Sequence, residues 1–292
     1  MSHPHWRGVF LVTLSGLLFG CMGFLGTRLL ENNLSIENML FWRFAVATLW
    51  IAASFFYVMR KKKSRHAKPV MKTFVLNALT YSGGSAFYFL GARHIGTGLA
   101  MVIFFSFPVF VALLEWIFGT WKMNLIAFAA LLSVVAGLFL LKGNGNAILD
   151  ATGIIFAMLG GFCFAAYIYC NQHASKSQDS QLLTLSVCIG NTFIFFVWSC
   201  YSHSFVIPSM LSVWFYICAI GIVSTALPIQ LLLNGLKYLS PVKASILSVL
   251  EPVVTLLIGF VLLNESMTFM QLLGVMIVLS GAILIQFEGK RE

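Results

Sequence analysis

From Ala244 to Leu263 the chain runs for twenty residues with a single charged side chain, Glu251. A helix of about 20 apolar residues crosses the hydrocarbon core of a bilayer. Nine further runs of this kind follow one another along the chain. Together the ten occupy 8–29, 37–59, 72–92, 97–118, 122–141, 151–171, 181–201, 209–234, 243–263 and 268–287. The runs are continuous, without the apolar-polar alternation of barrel strands, so they are helices. Composition agrees: 9% of the 292 residues are charged, against roughly 25% in soluble domains. The fold class is an all-α membrane protein of ten transmembrane helices, with no soluble domain inserted.

The net charge of +9 invites a nucleic-acid reading, but its placement argues against one. Seven of the 18 basic residues lie between Arg60 and Lys72, in one loop between apolar runs. With the N-terminus placed in the cytoplasm, fourteen basic residues fall on the inner side. Arg28, Arg93 and Lys142 fall outside, and Arg43 lies within a span. The excess of Lys and Arg on cytoplasmic loops then puts both termini inside. The first run lacks a small-residue cleavage site and reads as a retained helix. His3 and His5 read as part of a disordered end. The six cysteines form no Cys-x-x-Cys pair and read as small apolar residues.

The chain repeats itself. Gly91, Arg93, Pro108 and Gly137 have counterparts 144 residues on, at Gly235, Lys237, Pro252 and Gly281. Gly8, Gly16 and Phe19 match Gly153, Gly161 and Phe164 at 145. Two units result, 1–145 and 146–292, with five spans each. An odd number of spans turns the second unit over in the membrane, which is the inverted repeat of alternating-access transporters, with substrate sites near the midplane.

The polar residues inside the spans are the candidates for chemistry. Glu251 sits about 12 Å along its helix from Lys243, near mid-depth, where an unpaired charge is strongly disfavoured. Ala244, Ser248, Thr255 and Gly259 share its face. Two readings stand side by side: a substrate or proton site, or a structural carboxylate. Pro108 and Pro252 remove a backbone donor at similar depth and free the carbonyls of Phe104 and Ser248. Pro228 does the same for Ser224. Arg43 either snorkels outward or faces a cavity, and Glu115 reaches the inner interface or pairs with Lys122. Asn77, Tyr81, Ser85 and Tyr88 make one polar stripe on span 3. Ser224, Thr225, Gln230 and Asn234 answer on span 8, and Tyr167 and Tyr169 on span 6. A central cavity lined by spans 1, 3, 4, 6, 8 and 9 is expected. Tyr81, Ser85, Tyr88, Tyr167, Thr225, Ser248 and Glu251 would bind substrate. Glu251, Pro252, Pro108 and Arg43 would serve coupling or gating. No catalytic set, metal-ligand cluster or phosphate loop is present, so neither an enzyme nor a cofactor is expected.

Leu250-Glu251-Pro252-Val253, then Asn264-Glu265, Gln271, Gly274 and Gly281, resembles the second-repeat signature of the ten-helix EamA-type transporters of the drug/metabolite transporter superfamily. Trp42-Arg43-Phe44 resembles that family's Arg-Phe element. The first half departs: Phe107-Pro108 stands for the Glu-Pro pair, and Trp121 stands at the position equivalent to Glu265. The resemblance carries Glu251, Pro252 and Glu265 over. It implies proton- or gradient-linked movement, often export, of amino acids and other small metabolites across the bacterial inner membrane. The expected partners are a small-molecule substrate, the lipid bilayer and protons; no residue pattern sets an oligomeric state. The alternatives are a lipid or lipid-linked translocase, an uptake transporter and, last, an intramembrane enzyme.

Overall fold

A computed structural model describes residues 3–61, 71–119, 123–141, 150–262 and 268–285. The regular structure among them is helical throughout. The chain starts as α1 (His3–Gly20) and continues past Cys21 into α2 (Met22–Glu31). Next come α3 (Ile36–Lys61) and α4 (Met71–Ile95). The next pass is split into α5 (Thr97–Phe104) and α6 (Phe107–Phe118), and is followed by α7 (Leu125–Leu141), α8 (Ala151–Ser177) and α9 (Ser180–Tyr201). Another pass joins α10 (Leu211–Gly221), a π-helical turn Ile222–Ala226 and α11 (Leu227–Gly235). Then α12 (Pro241–Ser248) and α13 (Leu250–Leu262) make the ninth, and α14 (Phe269–Leu284) the tenth.

These are ten passes at the ten expected spans. Seven are long and apolar enough to cross a membrane, and α7 and α14 are shorter apolar helices. The remaining pass, α4, has the length but carries the polar stripe from Asn77 to Tyr88, which lowers its hydropathy. Large apolar side chains such as Leu49, Phe56, Phe193, Phe215 and Met276 stand exposed around the bundle. So much exposed apolar surface fits a lipid environment rather than water. One expectation changes at the start: the helix begins at His3, where a disordered end was expected. The basic run 62–70, Trp121, Lys122, Lys142, Asn264, Glu265 and the last residues, with Lys290 and Arg291, lie outside the described residues.

The prolines break their helices where the missing N–H and the ring clash require it. The chain around Pro108 tightens into shorter-range bonds, Ser106 N to Ile103 O (3.2 Å) and Val109 N to Ser106 O (2.9 Å). The chain before Pro252 does the same, with Val249 N bonding Ile246 O at 3.2 Å. The two resulting half-helices, α5 and α12, begin 144 residues apart and end 144 residues apart. Near Pro228 the helix widens instead into the π turn, a form that often marks functional sites.

Packing pairs α4 with α8 and α1 with α11, while α3 lies between α9 and α10. Tyr167, Phe44, Phe107 and Phe195 are among the largest fully buried side chains. At the edge, α7 and α14 approach almost backbone to backbone. A Cβ on Gly137 would meet Val278 N at 2.8 Å and Gly274 O at 2.9 Å. Gly137→Leu is therefore expected to cost about 1–3 kcal/mol of stability by forcing the helices apart. A lowered midpoint of unfolding in detergent would show it; an unchanged midpoint would mean that the two helices part freely.

Candidate functional site

A cavity of about 370 Å³ lies between the first pass, α3, α4, α5, α8, α10 and α13, so the second pass joins the six expected ones in its lining. Its lining starts at mid-helix with Phe19, Tyr81, Phe105, Phe164 and Glu251, and ends near the α2–α3 and α4–α5 turns with Leu30, Met39 and Phe89. Gly23, Thr27 and Leu30 on its rim are exposed. Beyond mid-helix in the other direction the bundle is tight: Phe107, Tyr167 and Ala244 are fully buried, and Leu247 and Ser248 nearly so. The cavity therefore has a mouth on one face and a packed floor on the other. Its volume lies in the range of small-molecule sites, roughly 300–1,000 Å³.

Two ionisable side chains, Arg43 and Glu251, face this space. Arg43, only 2% exposed, turns inward rather than snorkelling out, and lines the cavity. Its Nε donates to Thr225 Oγ1 at 2.6 Å, and the Thr225 hydroxyl donates in turn to Ile220 O at 2.8 Å. That second bond reaches back five residues, across the π turn, so the widened turn is what presents Thr225 to Arg43. The Arg43 guanidinium also lies 5.0 Å from the Phe44 ring centroid and beside the Tyr81 hydroxyl. Thr225→Val leaves a buried guanidinium N–H without its acceptor and should cost about 1–3 kcal/mol. Unfolding midpoints of Thr225→Val and Thr225→Ser, which keeps the hydroxyl, would check this; equal losses would mean that packing, not the hydrogen bond, is at stake.

Glu251 lines the same cavity from α13, one residue before Pro252. Arg43 is the cation that acts on it. The two are not ion-paired: among the described residues the ion pairs are Arg28–Glu31, Arg93–Glu37 and His94–Asp150. One turn on from Glu251, Thr255 Oγ1 lies 3.0 Å from Gly20 O and 3.1 Å from Glu251 O, tying α13 to the first pass. Tyr81, Ser85 and Tyr88 complete the polar lining, all from α4.

Other expected residues lie behind the walls. Tyr167 is fully buried, its ring at 5.0 Å and 87° to Tyr81 and stacked with Phe164, so it supports the lining without entering it. Thr225 is covered by Arg43. Ser248 donates to Ala244 O at 2.9 Å within its own helix and is not among the cavity's lining residues. Pro108 and Pro252 are buried and act on the backbone. The carbonyl that Pro108 frees on Phe104 faces α8, where a Cβ on Gly161 would stand 2.8 Å from it. Asn77 accepts from Asn171 Nδ2 at 2.6 Å, a helix-to-helix bond outside the cavity. Glu115 is 6% exposed, with Oε1 unpartnered among the described residues and Lys176 and His173 as its nearby basic groups; its expected partner Lys122 lies outside the described residues.

Some lining residues carried no mark in the sequence. Met39 lies one turn before Arg43, and Thr27 extends the row of Gly16, Gly20 and Gly23, so helical spacing could have pointed to both. Phe24, Phe104 and Phe105 look like any lipid-facing phenylalanine.

A model of the EamA-like transporter family matches the chain twice, over residues 6–142 and 151–287. The threonine/homoserine exporter RhtA of Escherichia coli strain K12 is 25% identical over 248 residues, 82% of this chain and 78% of its own. The inner membrane transporter YicL of Salmonella typhimurium, described as uncharacterized, is 23% identical over 98% of this chain and 97% of its own. A solved crystal structure with 14% sequence identity superposes with a TM-score of 0.83, covering 97% of this chain and 98% of the other. At that identity the likeness speaks for the fold alone. The family and these relatives point to transport rather than to an enzyme.

Proposed function

The chain belongs to the EamA-like transporter family, and on that premise we propose that it is a secondary transporter of small metabolites, amino acids or related compounds, in a bacterial inner membrane, working in the export direction. The observation that carries the proposal is the cavity: closed at mid-depth, open on one face, and holding the carboxylate of Glu251 beside Arg43. A site that reaches only one side of the membrane can deliver its occupant to the other only by a change of access. Two halves, 1–145 and 146–292, related by an axis in the membrane plane, supply that change. The family match to each half, the half-helices α5 and α12 at a constant offset of 144, and the reciprocal packing of α4 on α8 and α1 on α11 support the relation. The basic residues of the sequence support cytoplasmic termini, which puts the cavity mouth on the outer face.

Purified protein in proteoliposomes, loaded with amino acids and nucleoside-like metabolites, tests the proposal. Gradient-dependent movement of at least one of them is expected. Flux no greater than that of empty liposomes across the whole set would count against it. A second reading, translocation of a lipid headgroup, draws on the exposed rim at Gly23, Thr27 and Leu30. Scrambling of labelled lipid in the same vesicles would favour it.

A further inference from the structure

We propose that Thr48 and Thr192 form a fixed pivot on which the two halves of the molecule turn, a contact kept in both access states while its two hydroxyls trade the donor's part. The proposal goes beyond the transporter reading and rests on it for the existence of a second state.

The hydroxyl oxygens of Thr48 and Thr192 lie 3.1 Å apart, between α3 and α9 and outside the cavity lining. The two residues are 144 apart in the chain, the separation of Pro108 from Pro252 and of α5 from α12. Their helices begin at the same separation, α3 at Ile36 and α9 at Ser180. Each threonine therefore touches its own counterpart in the other half. Two counterparts meet where an axis relating the halves passes between them. The crossing of α7 and α14 is a second place of this kind. Gly137 backs onto Gly274 and Gly281 onto Ala130, and exchanging counterparts turns the first contact into the second. Ala47, Ile51, Cys188 and Ala226, all fully buried, form a small cluster that adjoins the threonine pair and holds α3 against α9.

Inverted repeats change access when each half takes up the arrangement of the other. A contact between unlike positions is then replaced by a different contact. A contact between counterparts is replaced by itself. The chemistry of this pair tolerates the exchange, because a hydroxyl donates one proton and accepts at the same atom. Thr192 donates to Cys188 O at 2.7 Å, so the proton between the two threonines comes from Thr48. The counterpart of Cys188 is Phe44, 144 residues earlier and four residues before Thr48. In the other state Thr48 donates to Phe44 O, and Thr192 supplies the proton between the pair. The number of hydrogen bonds is the same in both states, so the pivot favours neither.

The test uses the full chain with its native cysteines replaced, Cys188 by alanine because its backbone carbonyl is the acceptor. Thr48→Cys with Thr192→Cys, oxidised in proteoliposomes, is expected to close a disulfide equally fast in resting and in cycling vesicles. The cross-linked protein should keep most of its flux, with little change on reduction. A disulfide that arrests flux, with recovery on reduction, would overturn the pivot. Failure of the disulfide to form in folded protein would do the same. A second measurement needs no disulfide. A contact made equally in two states cannot bias one against the other. Thr48→Val and Thr192→Val should therefore each leave the ratio of outer to inner access unchanged, read by maleimide reaction of Thr27→Cys and of Ser245→Cys. A contact made in one state only would shift that ratio about fivefold, the scale of one neutral hydrogen bond. Such a shift in either variant would overturn the proposal. A parent protein that carries no metabolite sinks the transporter reading and the pivot with it. A transporting parent stopped by the disulfide sinks the pivot alone.

Discussion

Glu251→Gln in proteoliposomes is expected to fold normally and to lose uptake driven by a pH gradient, down to the level of empty liposomes. Counterflow exchange, which moves no net proton, survives at a higher substrate concentration. The reason lies in where the carboxylate sits. It is the mid-depth acid of the cavity, its ion-pair partners are absent among the described residues, and Arg43 is close enough to act on it without neutralising it through contact. A group so placed can change charge within one transport cycle, when the cavity is open to water and when it is occupied. Glutamine keeps the size and one hydrogen-bonding oxygen, replaces the other by an amide donor, and cannot titrate. The measurement is flux per correctly folded molecule, with folding followed by size-exclusion elution and thermal midpoint. Glu251→Asp, which keeps the titration on a shorter arm, should retain a pH-dependent flux. Unchanged flux and pH profile in Glu251→Gln would remove this residue from coupling and leave it a structural role.

Much of this was legible in the sequence because a bilayer exaggerates the cost of polar choices. A carboxylate and a proline side by side in an apolar run announce themselves at Glu251 and Pro252. The polar stripe on α4 announces the cavity-facing line Tyr81, Ser85 and Tyr88 in the same way. The constant offset between Pro108 and Pro252 anticipated where both helices break. What the sequence could not resolve was depth behind the wall. Tyr167 and Thr225 are as polar as Tyr81, yet both are buried under their neighbours, one by the Tyr81 ring and the other by Arg43. The choice between an inward and an outward Arg43 needed the π turn, since it is the turn that brings Thr225 within reach. The phenylalanine wall had no signature at all. A helix with lipid on one side and an apolar cavity on the other shows no strong amphipathic contrast.

Single-cysteine labelling should show the same asymmetry between the two halves of the bundle. Cys21, Cys163, Cys170, Cys200 and Cys218 would be replaced, and the fully buried Cys188 kept. With a membrane-impermeant maleimide applied to the face opposite the termini, Thr27→Cys and Ser85→Cys are expected to react close to completion. Ser245→Cys should stay at background, because Ser245 is fully buried below the floor and donates to Val242 O at 2.8 Å. A bound substrate should protect Ser85→Cys. Reaction of Ser245→Cys from the terminal face, with Thr27→Cys inert, would mean that the resting molecule opens the other way. The sealed half has a reason to open in its turn. Asn77 Nδ2, Asn171 Oδ1, the Tyr167 hydroxyl and Glu115 Oε1 all lie there, buried and unpartnered among the described residues. Each unmet bond costs about 1–3 kcal/mol, a cost relieved once water enters. Closing the cavity around a substrate while hydrating these groups would therefore set two comparable terms against each other, which is what a transporter needs if neither state is to become a trap. Substrate-dependent reactivity at Ser245→Cys, appearing only in cycling vesicles, is the result that this balance requires.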